Sequence, residues 1–123
     1  MANGDFFAWL DSNIEQLPTE VVAVNFNLYE GVNQTYDIQL IGTDIFDEAD
    51  YDWACEEIFT TGENVFRITR TNDIEDWKDG LSFIIEMINK YFENGIHANV
   101  LKQLRAVGVG FVDGDIEILH QSE

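Results

Sequence analysis

VVAVNFNLYEGVNQTYDIQLIG, residues 21–42, decides the fold. Val22, Val24, Phe26 and Leu28 recur at every second position with Ala23, Asn25 and Asn27 between them. That is the period of a strand with one buried and one wet face. After the break at GVNQT the period returns in Tyr36, Ile38 and Leu40, alternating with Asp37, Gln39 and Ile41. A connection of about five residues between two such runs predicts an antiparallel hairpin. An apolar sheet face has to be covered, and the flanking segments supply the cover.

Upstream, Phe6, Trp9, Leu10, Ile14 and Leu17 are spaced by three and four, which predicts a helix over 5–16 that Pro18 keeps from continuing. Downstream, Ile74, Trp77, Leu81, Ile84, Ile85, Ile88 and Phe92 form one stripe over about five helical turns. Asn72 or Asp73 caps that helix, Glu75 and Asp76 suit its first turn, Lys90 suits the dipole near its end, and Gly95 stops it. Trp77, Ile84 and Ile88 are expected to be buried.

Between the helices, VFRIT (65–69) reads as a further strand, with Phe66 and Ile68 inward and Arg67 outward. Leu101 and Leu104 belong to a short helical or turn segment. AVGVGFVDGDIEIL (106–119) then reads as a second hairpin, with Val107, Val109 and Phe111 alternating, Asp113-Gly114 as a two-residue turn, and Ile116 and Ile118 returning. Gly108 and Gly110 fall on the face away from the core. They mark a bulge, a close approach of another group, or a twisted strand that tolerates small residues. The expected fold is α+β: an antiparallel sheet of about five or six strands with two helices packed on one face, in the order α-β-β-(β)-β-α-β-β. All of it is expected within a single domain, 1–123.

The 123 residues are 46% hydrophobic and 13% aromatic, which is enough to build a core and argues against disorder despite a net charge of −18. The charge is unevenly placed. Residues 1–66 hold 14 of the 24 acids and none of the six bases. Such a field repels nucleic acid and anionic membrane surfaces and attracts positively charged partners. No run of 18 apolar residues exists, and MANGDFFAWLD has neither the basic start nor the apolar centre of a signal peptide, so a cytoplasmic location is expected. The lone Cys55 offers no intramolecular disulfide and no thiolate zinc site, and reads as a small buried apolar residue.

The segment TDIFDEADYDWACEEIF (43–59) concentrates the charge: seven carboxylates, no base, and four aromatics. A calcium loop of the EF-hand type starting at Asp50 would need oxygen ligands at the positions of Asp52 and Ala54, a glycine at Cys55 and a Glu at Thr61, and fails at three of them. Starting at Asp47 places Ala49 and Tyr51 where ligands belong. His97 and His120 stand in no metal-ligand or catalytic context, and the chain holds no nucleophile elbow, Walker loop or dinucleotide fingerprint. No catalytic residue, metal ligand or cofactor is expected, and the chain reads as a binding protein, not an enzyme. If extended, the segment turns Tyr51, Trp53 and Cys55 inward and its acids outward, so the aromatics anchor it and the acids project. The candidate partner-binding residues are Asp44, Asp47, Glu48, Asp50, Asp52, Glu56 and Glu57, joined by Asp113 and Asp115 around Gly114.

A small, strongly acidic α+β chain with D-x-D-W-A-C-E-E (Asp50–Glu57) and G-F-V-D-G-D (Gly110–Asp115) resembles the immunity proteins of bacterial polymorphic-toxin and contact-dependent inhibition systems, without pointing to a single family among them. The resemblance covers size, charge and architecture, and carries over no residue by motif. It implies a stoichiometric inhibitor, favoured as a monomer, that binds a cognate toxin domain, often a cationic nuclease, and plugs its active site or covers a neighbouring surface. Two other readings stand beside it: an acidic nucleic-acid mimic that inhibits a DNA-binding protein, and a small cytoplasmic adaptor.

Overall fold

The computed structural model describes residues 3–31, 34–69, 76–112 and 114–122. Six strands make one sheet: β1 (Ala23–Glu30), β2 (Thr35–Thr43), β3 (Glu57–Thr60), β4 (Phe66–Thr69), β5 (Ala106–Phe111) and β6 (Glu117–Gln121). Three α-helices, α1 (Asn3–Ile14), α2 (Trp77–Asn94) and α3 (Ala98–Gln103), accompany them, and a 3-10 helix, Tyr51–Cys55, lies between β2 and β3. The spatial order is β3-β2-β1-β5-β6, and β4 shares the outer edge of β2 with β3. The α+β class and the strand count are as the sequence reads, and the order differs by α3, since the segment of Leu101 expected as a short helix or turn is a third helix beside the two expected.

One pairing departs from the all-antiparallel expectation. β1 and β5 lie side by side and parallel, Ala23 opposite Ala106 and Leu28 opposite Phe111, so the sheet is mixed. Each hairpin is antiparallel within itself, as its short loop requires, but the two hairpins are joined through α2 and α3, and so long a connection permits a parallel junction. Both strands at this junction are buried on both faces along most of their length. The connection from β5 to β6 is longer than a two-residue turn: Gly114 N–H donates to Phe111 O at 2.9 Å and the strand resumes at Glu117. Asp113, half of the expected turn, lies outside the described residues.

All three helices cover one face of the sheet. Phe6, Leu10 and Ile14 from α1, Ile84, Met87, Ile88 and Tyr91 from α2, and Leu101 from α3 meet Val24, Phe26, Leu28, Tyr36, Ile38, Leu40, Ile68, Val107 and Val109. α1 ends four residues before Pro18, and Leu17 N–H closes a last tight turn on Ile14 O at 3.1 Å. The cap of α2 is Asp76, whose carboxylate accepts from Lys78 and Asp79 N–H at 3.0 and 3.1 Å. The residues expected to precede it, Asn72, Asp73, Ile74 and Glu75, lie outside the described residues. Ile84 and Ile88 are buried as expected, but Trp77 is 49% exposed. It lies on the apolar stripe but in the first turn, where it meets the rim of the sheet edge-on at Phe111, with ring centroids 6.2 Å apart.

Two tyrosines fasten the helices to each other and to the sheet. The buried Tyr91 hydroxyl donates to Asp11 of α1 and accepts the His97 N–H at 3.1 Å. Burial, followed by the bond to Asp11, raises its pKa above the ordinary phenol value. Tyr36 slides its ring under α2 at Gly80 and donates to Asp76 O at 3.2 Å. A Cβ on Gly80 would sit 2.6 Å from Tyr36 Cε2, and Tyr36 is held at 1% exposure.

Glycine inside an exposed helix is ordinarily replaced by alanine with a gain of about 1 kcal/mol. Gly80→Ala should reverse that sign and destabilise the protein by about 1–3 kcal/mol through overpacking against Tyr36. Chemical denaturation decides it, and a midpoint above that of the wild type would show that the ring does not rest on Gly80.

Candidate functional site

The second face of the sheet is built from small and polar residues. β1 contributes Ala23, Asn25 and Asn27, and β5 contributes Ala106, Gly108 and Gly110 directly opposite them. This face reads as wet in the sequence, yet Ala23 and Ala106 are fully buried and Asn25 is 2% exposed. The acidic segment covers it. Trp53, 2% exposed, packs with Ala23 and Ala106, supported by Val22, Phe46, Ala54 and Ile118. Phe46 meets the Trp53 ring edge-to-face at 5.2 Å, and the Arg105 guanidinium lies 5.9 Å from the Phe46 centroid.

The glycines of β5 mark a close approach. A Cβ on Gly108 would stand 2.6 Å from Asn25 Oδ1 and 2.8 Å from Ile116 Cγ2, and one on Gly110 would meet the Asp115 carbonyl. Ile116 and Ile118 therefore lie over the second face instead of returning to the main core, and a bulge between Val107 and Gly108 accompanies this placement.

The carboxylates also shape the roof they ride on. Asp47 Oδ1 accepts Ala49 N–H at 2.9 Å, and Asp50 Oδ1 accepts Asp52 N–H at 2.9 Å to cap the 3-10 helix. A residue such as Asp is thus wanted at both places for local geometry as well as charge. Because Tyr51–Cys55 is a 3-10 helix and not a strand, the period is three. Trp53 points inward while Cys55, two residues on, is exposed, which corrects the expectation of a buried thiol. Among the described side chains the anchoring by aromatics is carried by Phe46 and Trp53, and that of Tyr51 lies outside them.

Asp44, Asp47, Glu48, Asp50, Asp52, Glu56 and Glu57 are all exposed. None is ion-paired among the described residues, and Glu48 takes only a neutral contact, from Gln121 Nε2 at 2.9 Å. The described Arg67, by contrast, is committed to Asp37 in a two-pronged pair at 2.8 and 3.1 Å. Among the described residues no His, Cys, Asp and Glu side chains converge as a metal-binding group. The two histidines tie elements together: His97 Nε2 lies 3.0 Å from Glu15, and His120 Nε2 lies 2.8 Å from Lys102 O.

Asp115 is not brought to this array. The roof sits where β1 and β5 begin, at the Ala23–Ala106 pair, whereas the Asp115 backbone lies over Gly110, four residues further along β5, roughly 13 Å away along the strands. Asp113 lies outside the described residues. Two features escape the sequence reading: the polar row on this face in which Asn27 and Tyr29 both reach Gln39, at 3.5 and 3.1 Å, and a cleft at the far end of the sheet, beside α2, lined by Glu30, Trp77 and Glu117. The alternating Asn25, Asn27 and Gln39 signal the row. Nothing local in the sequence brings Glu30, Trp77 and Glu117 together.

No protein-family model matches the chain, and no curated protein or solved structure matches it. No helix among the described residues is long and apolar enough to cross a membrane.

The Trp53 indole N–H and Asn25 Oδ1 are buried without a hydrogen-bond partner among the described residues. A phenylalanine at position 53 would keep most of the ring and remove an unsatisfied donor worth about 1–3 kcal/mol, whereas alanine would open a cavity. Trp53→Ala should therefore cost about 3–5 kcal/mol and Trp53→Phe only about 1 kcal/mol. Equal losses for the two variants, measured by denaturant unfolding, would mean that the ring does not fill the space above Ala23 and Ala106.

Proposed function

We propose that the chain is an immunity-type inhibitor that binds a cationic toxin domain, such as a nuclease, through the carboxylates of the 44–57 roof. The observation that carries this reading is an array of seven exposed carboxylates, none ion-paired among the described residues, held on a segment pinned by two buried or half-buried aromatics. An array already ordered before contact loses little conformational freedom on binding, and its summed field draws a positive partner from a distance. A nuclease is positive where it binds phosphates, so its active-site region is a natural counterpart. The acids gather on one compact turn and do not run along an extended surface, which favours a toxin domain over mimicry of a nucleic-acid backbone. The inhibitor acts in the cytoplasm as a stoichiometric partner and has no catalytic role.

The test pairs the chain with a toxin-like domain sought in the reading frames beside its own. Co-expression should restore growth, and the two proteins should elute as one complex. Asp47→Asn, Glu48→Gln, Asp50→Asn and Asp52→Asn together keep the turn-forming oxygen acceptors while removing four charges. The fold should persist, with stability equal or higher as self-repulsion eases. Association at low salt should slow by about tenfold or more, and its dependence on salt should become shallower. An association rate that is the same at low and high salt in both proteins would contradict the reading.

A further inference from the structure

At the end of the sheet opposite the acidic roof lies an open cleft of about 870 Å³, lined by Glu30, Trp77, Leu81, Phe111, Ile116 and Glu117, with Gly114 and Asp115 at its margin. Its position follows from topology. β1 and β5 are parallel and end side by side, but the chain leaves β1 toward β2 and leaves β5 toward β6 on the other side. In open α/β sheets, neighbouring parallel strands whose continuations part in opposite directions leave a crevice beyond their carboxyl ends that seats ligands, and the β1–β5 junction parts in the same sense although its continuations are hairpins. The first turns of α2 form one wall. The volume falls in the range of sites that hold a small group, about 300–1,000 Å³.

The lining selects the occupant. Trp77, Leu81, Phe111 and Ile116 give an apolar floor, and Trp77 is half exposed although it is one of the largest apolar side chains in the molecule. Glu30, Asp115 and Glu117 are exposed carboxylates around it. An anion is disfavoured twice: by those three charges, and because the first free N–H groups of α2 already bind the Asp76 carboxylate. A purely apolar group would leave the carboxylates without a counterpart. A cation on an apolar stem satisfies both halves, its stem on the floor and its head between the indole face and the carboxylates. The Trp77 ring already draws such a group, since Lys78 Nζ lies 5.7 Å from its centroid.

The geometry points to this cleft as the seat of an arginine side chain presented by a protein partner. The planar guanidinium can stack on the indole and pair two-pronged with a carboxylate, which an ammonium cannot do. The inference rests on the reading of the partner as a cationic protein, and it adds a second contact point about one sheet length from the acidic roof.

The experiment titrates the full chain with N-acetyl-arginine amide at low salt and follows the indole N–H signals of Trp9, Trp53 and Trp77 by NMR. Its neutral isostere, N-acetyl-citrulline amide, is the control. The Trp77 signal should move saturably with the arginine probe while the other two stay in place, and the citrulline probe should bind at least about tenfold more weakly. Glu30→Gln with Glu117→Gln, both exposed positions, should weaken arginine binding severalfold without changing the Trp9 and Trp53 signals. Equal binding of the two probes, equal movement of all three indoles, or indifference to the double variant would overturn the inference. Each of these results is independent of the toxin complex. An empty cleft beside an intact complex removes only this inference, and a filled cleft without a complex removes only the proposed function.

Discussion

The packing of Trp53 against the paired alanines Ala23 and Ala106 holds the second layer of this protein in place. Seven carboxylates within 14 residues repel one another, and the local turns that Asp47 and Asp50 close do not by themselves fasten that segment to the sheet. Burial of a large aromatic surface offsets the repulsion, and it is possible only because the floor beneath is flat. Ala106, Gly108 and Gly110 give β5 almost no side-chain height on this face, so the indole, Asn25, Ile116 and the Asp115 carbonyl can all come close to the strand. The same floor depends on the parallel junction of β1 with β5, which sets Ala23 beside Ala106 and the two asparagines beside the two glycines.

The molecule therefore has two unlike faces and two unlike ends. The helical face is an ordinary core of aliphatic and aromatic side chains fastened by Tyr36 and Tyr91. The other face has a roof of acids at the start of the parallel strands, while an apolar, carboxylate-rimmed cleft opens at their end beside the first turns of α2. Both features present negative charge to solvent, and both hold it on an apolar support. This combination of fixed charge with an aromatic base is what the proposed binding of a cationic surface draws on.

Much of the helical face was legible because period and face coincide there. Val24, Phe26 and Leu28 alternate, Ile84 and Ile88 recur at helical spacing, and each set meets the other in the core. The second face was harder to read for three physical reasons. A strand pattern says which residues share a face but not what lies on it, so Asn25 looked wet and is buried. An alternation of acids and aromatics fits a strand, but Asp50 caps a 3-10 helix, and the change of period turned Cys55 outward while leaving Trp53 inward. The junction of two hairpins is set by long-range packing, so neither the parallel β1–β5 pairing nor the cleft it opens has a local signature. Trp77 fell on the correct stripe, but its exposure depends on where the sheet ends beneath the helix.

The proposed binding requires a roof that is ordered in the free protein, and hydrogen exchange at the Trp53 indole N–H tests this most directly. With 2% exposure beneath the acidic segment, that proton should exchange slowly, at a rate comparable to the backbone N–H of Phe26 in the core, at both low and high salt. The indole of Trp77, 49% exposed in the same molecule, supplies the fast reference. A Trp53 indole that exchanges as fast as that of Trp77 would contradict the account, because the carboxylates would then ride on a segment with no fixed place on the sheet.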